Sequence, residues 1–254
     1  MALIGGLFYF AMYGIAIVAV LACAGFVTAF LINEHRQRYV PAVIFKGLAS
    51  GCFAFLGLLF GMISNNPVFG RLVFIGLVLG FVADILLNLR HVVKSAGQKV
   101  FLIGICVFLV GHVMYLVALL QIVKMWWLWL AIGAVLTVGL VLWIFSRITA
   151  SKVFKIFGVF YLGAIMLMTT TAIGALIMSP SPATILFAIG SVSFLVSDVV
   201  LILNTFGGQE RFSLRVTNIC FYYVAQMLIA VSLIARTVMC GSGAGKLGVR
   251  SPEF

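Results

Sequence analysis

The sequence predicts an all-α integral membrane protein with eight transmembrane helices, built as two parallel four-helix repeats. Of its 254 residues, 65% are hydrophobic and only 8% are charged, and the mean hydropathy is +1.30. A chain with so few polar side chains cannot cover a water-soluble globule. The apolar residues fall into eight runs of about 20 residues, the length that crosses the hydrocarbon core of a bilayer. One segment recurs later in the chain, which indicates an internal duplication.

The first apolar run, Ala2 to Ile32, has no basic segment at its start and is longer than the core of a signal peptide. We therefore expect a retained helix there and no cleavage. Two proline-containing breaks, Asn65-Asn66-Pro67 and Ser179-Pro180-Ser181-Pro182, mark later helix ends, because proline lacks an amide donor and disfavours helix in the residue before it. The other predicted spans are Ala42 to Ile63, Gly70 to Leu89, Phe101 to Gln121, Trp126 to Phe145, Phe154 to Met178, Ala183 to Asn204 and Val216 to Ile234.

These spans form a single membrane domain, residues 1–240, with repeats predicted near residues 1–125 and 126–240. The segment 241–254 differs from the rest of the chain because it is polar and rich in glycine. We interpret this segment as a linker or cloning scar and exclude it from the fold.

The duplicated segment is Gly70 to Leu120. Displacing the sequence by 114 positions without a gap aligns Asp84 with Asp198, and 8 of the 18 positions from Leu72 to Leu89 are then identical. The same register continues into the next run, where His112 aligns with Gln226. A helical hairpin has been duplicated, and each copy contains one acid within an apolar run.

Basic residues indicate the orientation in the membrane. The loops after the odd-numbered spans are predicted to hold ten Lys and Arg residues, against Arg71 and Lys124 in the other loops. The positive-inside rule places the odd-numbered loops in the cytoplasm and both termini on the opposite side. We expect a multi-pass protein of a bacterial inner membrane rather than of the endoplasmic reticulum. The ten residues are Arg36, Arg38, Arg90, Lys94, Lys99, Arg147, Lys152, Lys155, Arg211 and Arg215.

Several function classes are disfavoured by composition. The net charge of +11 lies in short loops between apolar runs, so it sets topology and does not indicate nucleic-acid binding. Four of the five cysteines lie within apolar runs, as small core residues do. A zinc site needs three or four ligands, and His112 is the only histidine within a predicted span. The chain also lacks a Gly-x-Ser-x-Gly elbow and a glycine-rich phosphate loop.

The two acids within spans are the strongest candidates for a functional site. Asp84 and Asp198 each lie about 9 Å in from the cytoplasmic end of their helix, at 1.5 Å per residue. An ionisable group at such a depth costs at least ~2.5 kcal/mol on insertion scales, so it normally faces the bundle interior or a water-filled cavity. We expect both carboxyl groups in one cavity. The alternative is that each acid pairs with Lys46 or a tyrosine in a purely structural contact between helices.

Further polar side chains lie at similar depth and are predicted to contact the substrate. Lys46 has the alternative of extending to the interface, and a lone buried His or Tyr is also a common hydrogen-bonded core residue. Gly76 and Gly80 have a spacing that lets helices approach closely, which indicates packing. The candidate substrate-binding residues are Lys46, His112, Tyr115, Tyr222, Tyr223 and Gln226.

At these positions the chain resembles the lysoplasmalogenase family, also called the YhhN family, of eight-helix membrane proteins. The resemblance covers the second to the eighth predicted helix, and one departure is Ala83, where the family often has glycine before the acid. The matching segments are Ile44-Phe45-Lys46-Gly47-Leu48, Ala83-Asp84-Ile85-Leu86-Leu87, Gly111-His112-Val113-Met114-Tyr115, Phe194-Leu195-Val196-Ser197-Asp198 and Tyr222-Tyr223-Val224-Ala225-Gln226.

The resemblance implies hydrolysis of the vinyl ether bond of lysoplasmalogens, which releases a fatty aldehyde and glycerophosphoethanolamine or glycerophosphocholine. Two carboxyl groups suit this chemistry, since one can hold a proton for the alkene carbon while the other stabilises the oxocarbenium ion. We assign Asp198 as the acid and Asp84 as the anion, and the reverse assignment stays open. No cofactor or metal is expected. The expected partners are a lysophospholipid substrate and the bilayer, and a homo-oligomer stays open.

A proton-coupled transporter or lipid flippase is the alternative function, because duplicated helix bundles with buried acids also form carriers. A carrier needs access from both faces of the membrane. The candidate polar residues lie toward the predicted cytoplasmic face, and this asymmetry favours an enzyme entered from the cytoplasmic leaflet.

Overall fold

The computed structural model describes the backbone of residues 2–208 and 210–243, and the side chains of residues 10–93, 95–208 and 210–235. Within these residues it contains eight α-helices that are long and apolar enough to cross a membrane, which confirms the predicted number of spans. A short 3-10 turn, Lys94–Ala96, precedes the fourth helix. The helices are α1 (Ala2–His35), α2 (Tyr39–Met62), α3 (Pro67–Leu89), α4 (Gly97–Leu120), α5 (Trp126–Phe145), α6 (Lys152–Met178), α7 (Pro182–Phe206) and α8 (Phe212–Gly243).

The two proline-containing breaks are helix starts with side-chain caps. Asn66 Oδ1 accepts a hydrogen bond from the Phe69 amide at 3.1 Å, and Pro67 is the first residue of α3. At α7, Ser181 and Thr184 cap each other's backbone amides. Each cap satisfies an amide that has no partner inside its helix, and proline at the first helical position loses no hydrogen bond.

Helices that follow one another in the chain pack together, except at the α4–α5 junction. The first four helices therefore form one consecutive group and the last four another. The groups meet where α4 packs on α6 and where α2 packs on α8, and α8 also contacts α1 and α3. If the two groups are repeats, α2 corresponds to α6 and α4 corresponds to α8. The α4–α6 contact then corresponds to the α8–α2 contact. The arrangement as two repeats stays a prediction, with which this order of contacts agrees.

Burial differs strongly between helices and locates the centre of the bundle. In the most apolar 18-residue stretch of each helix, 72% of the residues are buried in α8 and 56% in α6, but only 17% in α5. Helices α6 and α8 therefore lie at the centre of the bundle and α5 at its edge. The polar candidates on α8 consequently lie at the centre of the bundle.

Close contact between α2 and α3 depends on Gly61 and Gly70. A Cβ atom on Gly61 would lie 2.7 Å from the Gly70 carbonyl oxygen, and one on Gly70 would collide with the Gly61 carbonyl oxygen. Neither position has room for a side chain. This contact fixes the separation of the two helices that bear Lys46 and Asp84.

Two boundary predictions at α8 need correction or fall partly outside the structure. Because α8 begins at Phe212, Arg215 lies inside the helix and not in the preceding loop as predicted. Its side chain reaches Glu34 of α1, and this ion pair satisfies both charges inside the bundle. The helix also includes Gly241–Gly243 of the predicted linker, and residues 244–254 lie outside the described residues.

Candidate active site

Lys46 of α2 and Asp84 of α3 form a buried ion pair. The Lys46 Nζ atom lies 3.0 Å from Asp84 Oδ1, and the two residues are only 3% and 1% exposed. Lys46 therefore does not extend to the membrane interface. The two charges balance each other at a short distance where bulk water does not reach them.

The second oxygen of Asp84 accepts two hydroxyl hydrogen bonds. Ser50 Oγ, one helical turn after Lys46, donates to Asp84 Oδ2. Tyr222 Oη of α8 donates to the same atom at 2.6 Å. Behind them, Tyr223 Oη lies 3.0 Å from Ser50 Oγ and 3.3 Å from the Lys46 carbonyl oxygen. Asp84 thus has one cationic and two hydroxyl donors, which is the environment of a carboxylate and not of a carboxylic acid.

A chain of hydrogen bonds extends from Asp84 toward α4. Gln226 Nε2 donates to Tyr222 Oη at 3.3 Å, and Tyr115 Oη donates to Gln226 Oε1 at 2.8 Å. Glycines of α3 make room for it, because a Cβ atom on Gly80 would lie 2.6 Å from Gln226 Nε2 and one on Gly76 would collide with the Tyr115 ring. These glycines serve packing, as their spacing indicated, and the packed groups are polar.

Asp198 of α7 has a different set of partners. Tyr161 Oη of α6 donates to Asp198 Oδ2 at 2.7 Å, and no described Lys, Arg or His lies within 4 Å of the carboxyl group. Asp198 is only 3% exposed. A buried carboxyl group without a counter-ion favours its neutral form, so Asp198 is suited to hold a proton.

Both acids line one small polar cavity of about 40 Å³. A site of this size can hold water, since a cavity needs roughly 10–15 Å³ of such volume for one molecule. The cavity lies toward the ends of α3 and α7 that precede odd-numbered loops, on the face predicted to be cytoplasmic. Other polar residues that line it are Lys46, Arg90, Tyr161, Arg215, Asn218 and Tyr222.

The three cations of this cavity differ in their partners. Lys46 pairs with Asp84, and Arg215 forms two contacts with Glu34, Nη2 to Oε1 at 2.8 Å and Nε to Oε2 at 3.0 Å. Among the described residues, no carboxylate lies within 4 Å of Arg90. Arg90 is thus the cavity cation whose charge is not balanced by an adjacent acid.

Arg90 is held by neutral groups. Its guanidinium carbon lies 4.2 Å from the centre of the Phe101 ring, and its Nε donates to His91 Nε2 at 3.1 Å. Burial, and then the positive charge of Arg90, lower the pKa of His91 to about 4, so His91 is neutral at pH 7 and accepts this bond. The arrangement fixes the guanidinium group and leaves its charge available to an anion.

His112 lies behind the cavity and does not line it. Its Nδ1 is 2.8 Å from the Phe108 carbonyl oxygen, and its ring stands edge-on to Phe194 with centroids 4.5 Å apart. Its Nε2 atom is buried without a hydrogen-bond partner among the described residues. The neighbouring Tyr161 ring has its centroid 5.6 Å away. His112 therefore packs against the ring that contacts Asp198.

Of the predicted site residues, Lys46, Asp84, Asp198 and Tyr222 line the cavity. Tyr115, Tyr223 and Gln226 connect to it through hydrogen bonds, whereas His112 reaches its lining side chains only through ring contacts such as that with Tyr161. The sequence analysis did not identify the roles of Ser50, Tyr161, Arg90, Glu34 and Arg215.

Two of these omissions had a signal in the sequence. Ser50 is one helical turn after Lys46, on the same face of α2. Tyr161 is one position after Phe160, which the 114-residue displacement aligns with Lys46. Thus α2 supplies a hydrogen-bond donor to Asp84 of α3, and α6 supplies one to Asp198 of α7.

The described residues contain no group of three or more His, Cys, Asp and Glu side chains placed to hold a metal ion. The four cysteines described are free, and none of them lines the cavity. The polar groups that line this cavity are carboxyl, hydroxyl, amide, ammonium and guanidinium groups.

Comparison with known proteins identifies the family. No curated protein and no solved structure matches the chain. The model of the YhhN family matches residues 41–233, which include α3 to α7 completely, most of α2 and α8, and all residues that line the cavity. The match covers most of the chain and agrees with the resemblance seen in its motifs. The chain belongs to the YhhN family.

Proposed function

We propose that this protein hydrolyses the vinyl ether bond of lysoplasmalogens and releases a fatty aldehyde and a glycerophosphodiester. The observation that carries the proposal is the pair of unequal carboxyl groups on one cavity: Asp84 with a cationic partner and Asp198 without one. Membership of the YhhN family supports a lysoplasmalogenase-like hydrolase. The eight apolar helices supply the bilayer setting in which a lysolipid is dissolved.

The first step is transfer of the Asp198 carboxyl proton to the alkene carbon farther from the ether oxygen. The double bond supplies the electron pair for the new C–H bond, and the positive charge that results is shared by the adjacent carbon and the ether oxygen. The ionised Asp84 lies on the same cavity and stabilises this oxocarbenium ion. Asp198, now ionised, becomes the base for the second step.

In the second step, water attacks the carbon of the oxocarbenium ion and Asp198 accepts a proton from that water. The product is a hemiacetal, which collapses when the bond between this carbon and the ether oxygen breaks. The hydroxyl proton moves to the departing oxygen, giving the aldehyde and the glycerol hydroxyl. Each cycle consumes one water molecule and restores the proton on Asp198.

The hydroxyl groups of the cavity orient these participants. Tyr161 holds one oxygen of Asp198, which directs the other oxygen to the reacting carbon. Tyr222 is fixed by its hydrogen bonds with Asp84 and Gln226 and lines the cavity. Lys46 acts through Asp84, whose charge it maintains, because the ion pair occupies its ammonium group.

Arg90 is proposed to bind the phosphate of the lysolipid. It lines the cavity, has no adjacent carboxylate among the described residues, and lies at the end of α3 where a headgroup meets the membrane interface. A guanidinium group forms paired hydrogen bonds with phosphate oxygens. The sequence analysis named Lys46 among the candidate substrate-binding residues, and its ion pair with Asp84 favours Arg90 instead as the residue that binds the phosphate.

The test is hydrolysis of a lysoplasmalogen by purified protein in detergent, with and without a chelator. Asp198→Asn and Asp84→Asn are each expected to lower turnover by at least ~10²-fold, because Asn keeps the shape but neither donates a carboxylic proton nor carries charge. Lys124→Gln, at an exposed residue of the loop between α4 and α5 that does not line the cavity, is the control. Near wild-type turnover in both Asn variants, or loss of wild-type activity on chelation, would refute the two-carboxylate mechanism.

A further inference from the structure

A second, apolar cavity lies beside the acid cavity. It has a volume of about 70 Å³ and is enclosed by the ends of α3, α5 and α7 and the beginnings of α4 and α6. We propose that this apolar cavity binds the alkenyl chain of the substrate next to the vinyl ether. The inference rests on the proposed function and adds the place of the hydrocarbon chain.

The two cavities share a wall. Five residues line both of them: Leu87, Phe101, Phe108, Tyr161 and Leu201. Tyr161 is the residue that donates to Asp198, so the apolar cavity begins beside the proposed acid. A lipid whose polar end occupies the acid cavity can therefore extend its chain directly into apolar surroundings, which burial of hydrocarbon favours.

A larger apolar groove lies elsewhere and has no such connection. It has a volume of about 1090 Å³ and lies between α1, α2 and α3, where Gly14 and Gly47 are among its lining residues. It shares no lining residue with the acid cavity. The Ile85 side chain of α3 packs against Gly47 of α2, because a Cβ atom added to Gly47 would lie 3.6 Å from it. As a binding site for the alkenyl chain, the groove is favoured by its size alone, whereas the smaller cavity is favoured because it adjoins the cavity that contains the acids.

The smaller cavity is suited to the first part of a chain and not to its whole length. Aromatic rings line the side of this cavity near the odd-numbered loops. The centroid of the Phe154 ring lies 5.9 Å from that of Phe101 and 5.5 Å from that of Phe206. At Gly158 of α6 the wall has no side chain, and an added Cβ atom would meet nothing within 4 Å. The distal chain is expected to continue from this cavity into the bilayer.

Gly158 allows a direct test, because a leucine there fits the helix and adds bulk to the cavity. The matched controls are Gly139→Leu on α5, which lines neither cavity, and Gly14→Leu in the larger groove. Neither control position has an atom within 4 Å of an added Cβ. The readout is the ratio of kcat/KM for a hexadecenyl lysoplasmalogen to kcat/KM for its propenyl analogue. This ratio cancels any common effect on folding or catalysis.

The ratio is expected to fall at least ~10-fold in Gly158→Leu, since a few methylene groups in an apolar pocket change kcat/KM by that order. Gly158→Ala should give a smaller decrease, and both controls should keep the wild-type ratio. An unchanged ratio in Gly158→Leu, or a decrease confined to Gly14→Leu, would overturn the assignment.

A second measurement does not depend on hydrolysis or on a folded variant. An alkyl ether lysophospholipid with a diazirine near its ether bond is photolysed on wild-type protein, and the labelled peptides are sequenced. Label on Leu87 or on residues 101–108, 144–162 or 201–206, which together line this cavity, supports the assignment even if no aldehyde is ever released, in which case only the proposed reaction fails. Label on residues 11–19, or on any other segment, contradicts it.

Discussion

At the scale of the residue, hydrogen-bond donors distinguish the two acids. Asp84 receives a cation and two hydroxyl groups, whereas Asp198 receives the hydroxyl of Tyr161 and has no described cation within 4 Å. The contact with Lys46 also accounts for the burial of Asp84 without reference to function, as the structural alternative anticipated. A purely structural contact does not require that both acids border a cavity with room for water, and that feature favours the catalytic interpretation.

The ion pair makes a prediction about stability. Lys46→Met removes the cation and leaves Asp84 charged in an apolar bundle, which is expected to cost about 3 to 5 kcal/mol, because breaking a buried pair leaves one charge uncompensated. Adding Asp84→Asn to Lys46→Met should restore most of that loss. The measurement is thermal unfolding of purified protein in detergent for the two single variants and the double variant. A double variant with the sum of both single losses would exclude this account.

At the scale of the element, glycines set how closely the helices that bear the acids can approach their neighbours. Gly61 and Gly70, on neighbouring helices, bring the backbones of α2 and α3 together. Gly76 and Gly80, both on α3, make room for the side chains of Tyr115 and Gln226. Spacing predicted close packing for Gly76 and Gly80. It could not predict which side chains would occupy the space, because that depends on how α8 is rotated against α3.

Gly70→Ala is expected to destabilise the protein by about 1 to 3 kcal/mol, because the added methyl group forces α2 and α3 apart. The control is Gly139→Ala, where an added Cβ atom meets no atom within 4 Å and helix propensity favours alanine. Thermal midpoints of the two variants in the same detergent give the comparison. Equal midpoints would show that the α2–α3 contact relaxes at little cost.

The element boundaries show what sequence can and cannot predict. Eight apolar runs predicted eight helices, and proline predicted two breaks between helices, because length and missing amide donors are local properties. The paired Arg215 and Glu34 come from the last and first helices. A contact between such distant segments leaves no local pattern, so Arg215 was assigned to a loop.

At the scale of the whole molecule, the polar cavity, its cations and the apolar cavity lie toward one face. Arg90, Phe101 and Phe206 are near the ends of helices that border odd-numbered loops. If the positive-inside rule holds here, a substrate reaches the site from the cytoplasmic leaflet. The contacts of α2 with α8 and of α6 with α4 agree with the two-repeat arrangement, which stays a prediction.

The orientation is tested by labelling with a membrane-impermeant thiol reagent on intact cells. Ser179→Cys, between α6 and α7, should be labelled, and Ser95→Cys, between α3 and α4, should be labelled only after permeabilisation, because both side chains are exposed on opposite faces of the bundle. The native cysteines are replaced in both variants and in the unlabelled control. The reverse pattern would place the cavity at the outer leaflet.

Proton transfer from the protein to an alkene carbon is the defining step of the proposed reaction, and hydrolysis in deuterium oxide detects this transfer in the product. The fatty aldehyde released by wild-type protein is expected to carry one deuterium on the carbon next to the carbonyl group, because Asp198 exchanges its proton with solvent and then delivers it there. Preformed aldehyde kept under the same conditions measures background exchange. Release of aldehyde without deuterium above that background, or equal release by Asp198→Asn, would contradict the account.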